Sequence, residues 1–158
     1  MWNVVGAPIA HDWIDFEPID TLYYFDFPMI FTCKDVAGNL YLAYNCDCDS
    51  NGLRFLVVPC DDSLVVSLVN GKINLRDALC KNRAWIFDLN KKWESVSAWS
   101  VDVYELPNDA LPRPGTMLYS GLPSIVVQNK SRPCTSDTVK NIAWSKSVGQ
   151  KVGIHANG

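Results

Sequence analysis

Three apolar runs cut by turn chemistry fix most of what this chain can become. Residues 29–34 read Met-Ile-Phe-Thr-Cys-Lys, residues 40–46 Leu-Tyr-Leu-Ala-Tyr-Asn-Cys, and residues 53–58 Leu-Arg-Phe-Leu-Val-Val. Each is rich in β-branched and aromatic residues and short for a helix. Asp35, Gly38 and Asn39 separate the first two runs; Asp47, Asp49, Asn51 and Gly52 separate the second and third. Those residue types favour hairpin turns. An antiparallel meander is expected. Residues 40–46 are apolar on both alternating sides, which predicts a central strand.

Two short helical patterns follow. Asp61, Asp62 and Ser63 supply helix-start acceptors, and Leu64, Val65, Leu68 and Val69 fall at helical spacing. Asn70-Gly71 is a stop signal. Asn74 is a good N-cap for a second helix over residues 75–80, with Asp77 three residues on. Each helix is expected to be about two turns long, and helices that short hold only by packing. The fold class expected is α+β: a mainly antiparallel sheet, a meander of about five to seven strands, with two short helices packed on one face.

The flanks are less regular. Residues 1–16 read as an irregular arm or short strand punctuated by Pro8 and, just beyond, Pro18. Residues 21–25 look extended, either a first strand or an edge stopped by Pro28. Residues 84–89 predict a strand with Trp85 and Phe87 on one face, and the alternation over residues 96–106 predicts another. Pro107, Pro112 and Pro114 make residues 107–115 a loop. Short strands are expected at 117–119 and 124–128, a brief helix through Val139, Ile142 and Ala143, and a frayed tail from Gln150. The organisation expected is one domain over residues 1–158: an arm (1–20), a core (21–117), and a C-terminal extension (118–158) with a partly mobile tail.

Charge narrows the partners. The formal net charge is −3 over 158 residues, and the densest cationic run is Lys91-Lys92. Nucleic-acid binding needs a concentrated basic surface, so no nucleic-acid partner is expected. No apolar run reaches the roughly 18 residues of a spanning helix, so no membrane partner is expected either. The first residues lack the features of a signal peptide, which leads to an expected cytoplasmic location and reduced thiols for the six cysteines.

The chemistry-bearing motifs are incomplete. Asp47-x-Asp49-x-Asn51-Gly52 matches the first half of a calcium loop, but its twelfth position is Val58 instead of a bidentate Glu. A connecting turn is expected there. Cys46-x-Cys48 has one intervening residue, where structural zinc pairs use two to four. His11 and His155 are the only imidazoles, which leaves little for a nucleophile–base pair. No catalytic residue, no metal and no cofactor is assigned.

One phrase of the chain is familiar. An apolar strand (28–31), Asp-x-x-Gly-Asn (35–39), Tyr41-Leu42, Val58-Pro59, Gly-Lys-Ile-x-Leu-Arg-Asp (71–77) and Trp85, with residues 106–112, resemble a family of small uncharacterised bacterial domains of unknown function. The resemblance covers roughly residues 21–117. It implies a bacterial or phage cytoplasmic α+β domain and no activity.

The remaining signal is an acidic, aromatic segment. Asp15, Glu17, Asp20 and Asp26 lie among Trp13, Phe16, Tyr23, Tyr24 and Phe25. Aromatic anchors with a charged rim are interface material. The expected function is a non-enzymatic protein-binding module, an accessory or inhibitor/immunity-type partner, contacting a protein through Trp13, Asp15, Phe16, Glu17, Asp20, Tyr23 and Tyr24. The alternative is a small hydrolase or nucleotide-handling enzyme using Asp, Glu and Cys side chains.

Overall fold

The computed structural model describes residues 1–9, 15–81 and 83–118. Seven antiparallel strands form one open sheet: β1 (Ala7–Pro8), β2 (Glu17–Phe25), β3 (Phe27–Lys34), β4 (Leu40–Cys48), β5 (Gly52–Pro59), β6 (Ala84–Asn90) and β7 (Ser95–Val101). The spatial order is β1-β7-β6-β5-β4-β3-β2. β2 to β7 are thus a continuous meander, and β1 joins from the far side. The three apolar runs are β3, β4 and β5, and β4 is central and buried along almost its whole length.

Register explains why both sides of these strands are apolar. Phe31, Ala43, Val57 and Trp85 stand in one cross-strand row; Ile30, Tyr44, Leu56 and Ile86 stand in the next. Adjacent rows face opposite sides, and all eight residues are buried. Prolines sit where a missing N–H costs little. Pro18 is in the edge strand β2, and Pro28 pairs with Tyr24 on β2, below the Ile30–Tyr44 row where the pairing with β4 begins.

Two helices connect β5 to β6: α1 (Asp62–Val69) and α2 (Leu75–Leu79). Asp61 caps α1 by accepting from the Leu64 N–H at 2.7 Å. Gly71 closes it at φ 68°. The Lys72 N–H donates to the Ser67 carbonyl and the Gly71 N–H to that of Leu68, the paired bonds that finish a helix through a left-handed residue. Asn74 and Asp77 cap α2 reciprocally, with bonds of 2.8 and 2.7 Å. Leu68, Leu75, Ala78 and Leu79 belong to the same buried cluster as the sheet residues.

Three expectations need correction. The strand expected over 96–106 stops at Val101, because the Asp102 carboxylate accepts from the Tyr104 N–H at 3.0 Å and opens a short 3-10 turn, Val103–Glu105. α2 spans five residues, less than two turns. Residues 117 and 118 are not a strand: the Thr116 carbonyl accepts from the Leu75 N–H at 2.8 Å, tying this segment to the start of α2, and Leu118 is buried. The strand expected at 124–128, the helix near 137–143 and the C-terminal tail lie outside the described residues.

The N-terminal segment takes a path that no local pattern announces. Arg54 on β5 reaches the Trp2 backbone carbonyl, whereas the Phe16 ring packs on Phe87. Arg54 is in register with Asp88, the neighbour of Phe87 on β6. Trp2 and Phe16 therefore contact opposite faces of the sheet. Between them β1 lies along β7, with Ala7 opposite Ser100 and Pro8 opposite Trp99. Residues 1–9 thus lead from the Arg54 face of the sheet onto the β7 edge.

Candidate functional site

The expected interface residues lie along β2, whose partner among the described strands is β3 alone. They are not equivalent. Asp15 is exposed. Phe16 is half-buried, its ring edge-on to Tyr41 at 5.1 Å and to Phe87 at 4.8 Å, so it anchors the chain to its own sheet. Glu17 is exposed and pairs with Lys34 at 3.1 Å, a surface ion pair worth little. Asp20 is half-buried, and its N–H donates to the Thr32 hydroxyl at 3.2 Å. Tyr23 is half-buried, and burial pushes its phenol above the usual range. Tyr24 is 46% exposed, and its hydroxyl donates to the Asp26 carbonyl at 3.0 Å. Its neighbour Phe25 is 62% exposed. Trp13 lies outside the described residues.

Open aromatic surface thus concentrates at the end of β2 next to the turn into β3. That turn is unusually tight. Phe25 pairs with Phe27, and Asp26 between them has φ 61°. Trp93, in the β6–β7 turn, is the other non-glycine with positive φ among the described residues, at 63°. For a bulky side chain this is a genuine outlier. The two strained positions are linked by rings: Trp93 stands 5.9 Å from Phe27 and 5.9 Å from Phe55, and Phe55 stands 5.3 Å from Phe31. Tyr24 and Phe25, consecutive on β2, point to opposite faces of the sheet, and Phe25 stands opposite Phe27, the first residue of this ring cluster. Glu17 sits at the other end of β2, roughly 26 Å from Phe25 at about 3.3 Å per residue, and Asp15 lies just before that end. The charges close to the aromatic tip in sequence are instead Asp26 and, beside Trp93, Lys91 and Lys92.

A second region bears on enzymatic chemistry. An open cleft of about 640 Å³ is lined by Cys60, Asp61, Ser63, Ser67, Lys72 and Lys81 among others. A nucleophilic cysteine must reach its thiolate. Here burial, with Asp61 and Asp62 adding to it, pushes the Cys60 thiol up to about 12. The Asp61 carboxylate is already occupied as the α1 cap. Among the described residues there is no group of three or more His, Cys, Asp or Glu that could hold a metal ion. Cys33, Cys46, Cys48, Cys60 and Cys80 are free thiols. His11 and His155 lie outside the described residues.

The acidic calcium-like phrase resolves into a hairpin. Asp47 and Cys48 are still in β4. The Asp47 carboxylate accepts from the Cys48 N–H at 2.8 Å, and that of Asp49 accepts from the Asn51 and Gly52 N–H groups at 2.7 and 3.1 Å. These carboxylates satisfy the turn's own backbone.

Sequence reasoning passed over one further cluster. Arg54 forms a bidentate pair with Asp88, Nε to Oδ1 at 2.6 Å and Nη2 to Oδ2 at 2.7 Å. Its Nη1 donates to the Trp2 carbonyl, and its guanidinium carbon lies 4.5 Å from the Trp2 ring centre. Ser97 donates to Asp88 at 3.3 Å. Both charged residues are buried. A signal existed: Arg54 and Asp88 each interrupt an apolar strand run, and opposite charges embedded in two strands call for each other.

A single open antiparallel sheet with two short helices defines an α+β domain whose described surface holds an aromatic hairpin end and an open cleft beside α1. By sequence the chain belongs to a family of unknown function (DUF6575), which matches residues 17–148. The match extends beyond residues 21–117 at both ends. No curated protein and no solved structure matches the chain. No helix among the described residues is long and apolar enough to cross a membrane.

Proposed function

We propose that this domain is a non-enzymatic protein-binding module, an accessory or inhibitor/immunity-type partner working in the cytoplasm of a bacterial or phage system. The observation that supports it is the β2–β3 end of the sheet. Two exposed aromatic residues, Tyr24 and Phe25, lead into the strained Asp26 turn, and the residue after it, Phe27, packs edge-on against Trp93, which in turn packs on Phe55. Rigid aromatic anchors lose little entropy on binding and dominate interface energetics. Strained backbone also concentrates where a surface has a task beyond folding. On the same reading the two helices close one face of the sheet, which leaves recognition to hairpin ends and strand edges.

The test is affinity capture from the native host with three chains: wild type, a Tyr24→Ala/Phe25→Ala double variant, and Val36→Ala. Val36 is 89% exposed in the β3–β4 turn, at the opposite end of β3, and serves as the control. A partner held by wild type and by Val36→Ala, and lost by the folded double variant, is the expected result. Retention of every partner by the double variant, or none for the wild type, sinks the proposal.

A further inference from the structure

The cleft beside α1 holds a set of donors that the rest of the chain leaves unused. Its volume, about 640 Å³, is that of a small-molecule site. Three segments build it: the chain leaving β5, the first turns of α1, and the residues on either side of α2. Ser63 and Ser67 stand one turn apart on α1. A serine inside a helix can bond the carbonyl four residues back. Ser67 makes no such bond, and neither hydroxyl has a hydrogen-bond partner among the described residues. Lys72 precedes α2 and Lys81 follows it. Both line the cleft, and neither ammonium has an ion-pair or hydrogen-bond partner among the described residues.

Charge decides which ligand these donors suit. Among the described residues one carboxylate lines the cleft, that of Asp61. It accepts from the Leu64 N–H at 2.7 Å, and the positive end of the α1 dipole offsets its charge. Asp61 and Asp62 still act on the Cys60 thiol more strongly than Lys81 does, so an anion is repelled from the sulfur and drawn to the serines and lysines. Leu64 and Ile73 are half-buried, pack on the core and supply an apolar wall. We infer that the cleft binds a phosphate monoester with an apolar body, its phosphate on Lys72, Lys81 and Ser67 and its body on Leu64 and Ile73. A phosphate monoester carries a charge of about −1.5 to −2 at pH 7, which the two ammonium groups balance. A carboxylate leaves one of them unmatched.

The probe is phenyl phosphate, titrated into the isotope-labelled full chain and followed by amide chemical shifts. Inorganic phosphate, benzoate and benzylamine are the comparators. Saturable shifts at Ser63, Ser67, Lys72 and Lys81 are expected with phenyl phosphate. Inorganic phosphate lacks the apolar body and benzoate has less charge, so each binds more weakly, and cationic benzylamine leaves these amides unmoved. Lys72→Met and Lys81→Met keep the side-chain stem and remove the charge. Each is expected to weaken phenyl phosphate at least about tenfold. The same spectra show whether each variant is folded, and the second lysine variant decides the question should the first misfold. No saturable shift at these residues, any comparator binding as tightly as phenyl phosphate, or unchanged affinity in a folded lysine variant overturns the inference. The Cys60 N–H donates to the Leu40 carbonyl at 3.0 Å, which places the cleft at the end of the sheet away from Tyr24 and Phe25. This ligand and the proposed protein partner therefore stand or fall separately.

Discussion

Two hairpin turns in this molecule have the same hydrogen-bond scheme and opposite solutions to the same backbone problem. In residues 35–39 the Asp35 N–H donates to the Asn39 carbonyl, the Gly38 N–H donates to the Asp35 carbonyl, and the Asp35 carboxylate accepts from the Ala37 and Asn39 N–H groups. In residues 90–94 the Asn90 N–H donates to the Glu94 carbonyl, the Trp93 N–H to the Asn90 carbonyl, and the Asn90 side-chain oxygen accepts from the Lys92 and Glu94 N–H groups. The fourth residue of each needs positive φ: 87° at Gly38, 63° at Trp93. The first turn meets that need locally, with the one residue that has no Cβ. The second meets it by tertiary packing, holding a large ring against Phe27 and Phe55. A turn closed by glycine is a connector, whereas one closed by a packed tryptophan is tied to the ring cluster of Phe27 and Phe55.

The sharpest way to break this comparison is at Trp93. Trp93→Ala keeps the positive φ and loses both ring contacts, and is expected to cost about 2–3 kcal/mol, below the range for a fully buried aromatic because Trp93 is only half-buried. Trp93→Gly loses the same contacts and removes the backbone strain. It is therefore expected to be more stable than Trp93→Ala by about 0.5–1 kcal/mol, the net of the relieved φ penalty and the greater unfolded-state entropy of glycine. Urea denaturation of the three chains measures both differences. If alanine is as good as glycine, Trp93 is not strained and the contrast between the turns disappears.

Gly38 is the complementary test. A Cβ there meets nothing within 4 Å, so any substitution reads the backbone penalty alone. Gly38→Ala is expected to cost about 1–2 kcal/mol. Gly38→Trp should cost a similar amount, since no ring stands ready to receive it. A stable Gly38→Trp variant in the same denaturation assay would mean that the first turn tolerates positive φ without glycine or packing.

The same division between local and distant causes explains what was legible in the sequence. The three apolar runs of the meander, the Asp61 cap and the Gly71 stop are all written within a few residues, and β3 to β5, α1 and its left-handed end follow. Asp102 was readable in principle, but the alternation continuing to Leu106 masked a side chain able to end a strand. The candidate site was harder. Tyr24 and Phe16 carry similar sequence signals, yet Tyr24 is exposed and Phe16 is packed on Tyr41 and Phe87, partners far from it in sequence that no local pattern names. The Trp2–Arg54 contact spans 52 residues, and nothing near Trp2 specifies it.

The smallest expected effect uses the titrating group at the first position of the turn. The first position is Asp35 in one and Asn90 in the other, with equivalent bonds to the turn amides. The Asp35 carboxyl is held below its usual range, chiefly by the hydrogen bond from the Asn39 side chain; desolvation opposes it, and further bonds from the Asn39 N–H, the Tyr41 hydroxyl and the Ala37 N–H tip the balance downward. A folded-state value below the unfolded one contributes stability that is complete above the unfolded value, about 3.9, and is lost as pH falls through the folded value. Asp35→Asn gives the first turn the same, non-titrating first residue as the second. Melting temperatures of wild type and Asp35→Asn are therefore expected to differ in favour of wild type at pH 6, and the gap should narrow as the pH is lowered below about 4. The Tyr41 phenol should report the same loss. Burial, with Asp35 adding to it, pushes its pKa up to about 12, and Asp35→Asn should lower that value in a spectrophotometric titration. A gap that is constant from pH 6 to pH 3, together with an unmoved Tyr41, would make Asp35 and Asn90 interchangeable and leave the contrast between the turns to the fourth position, glycine in one and a packed tryptophan in the other.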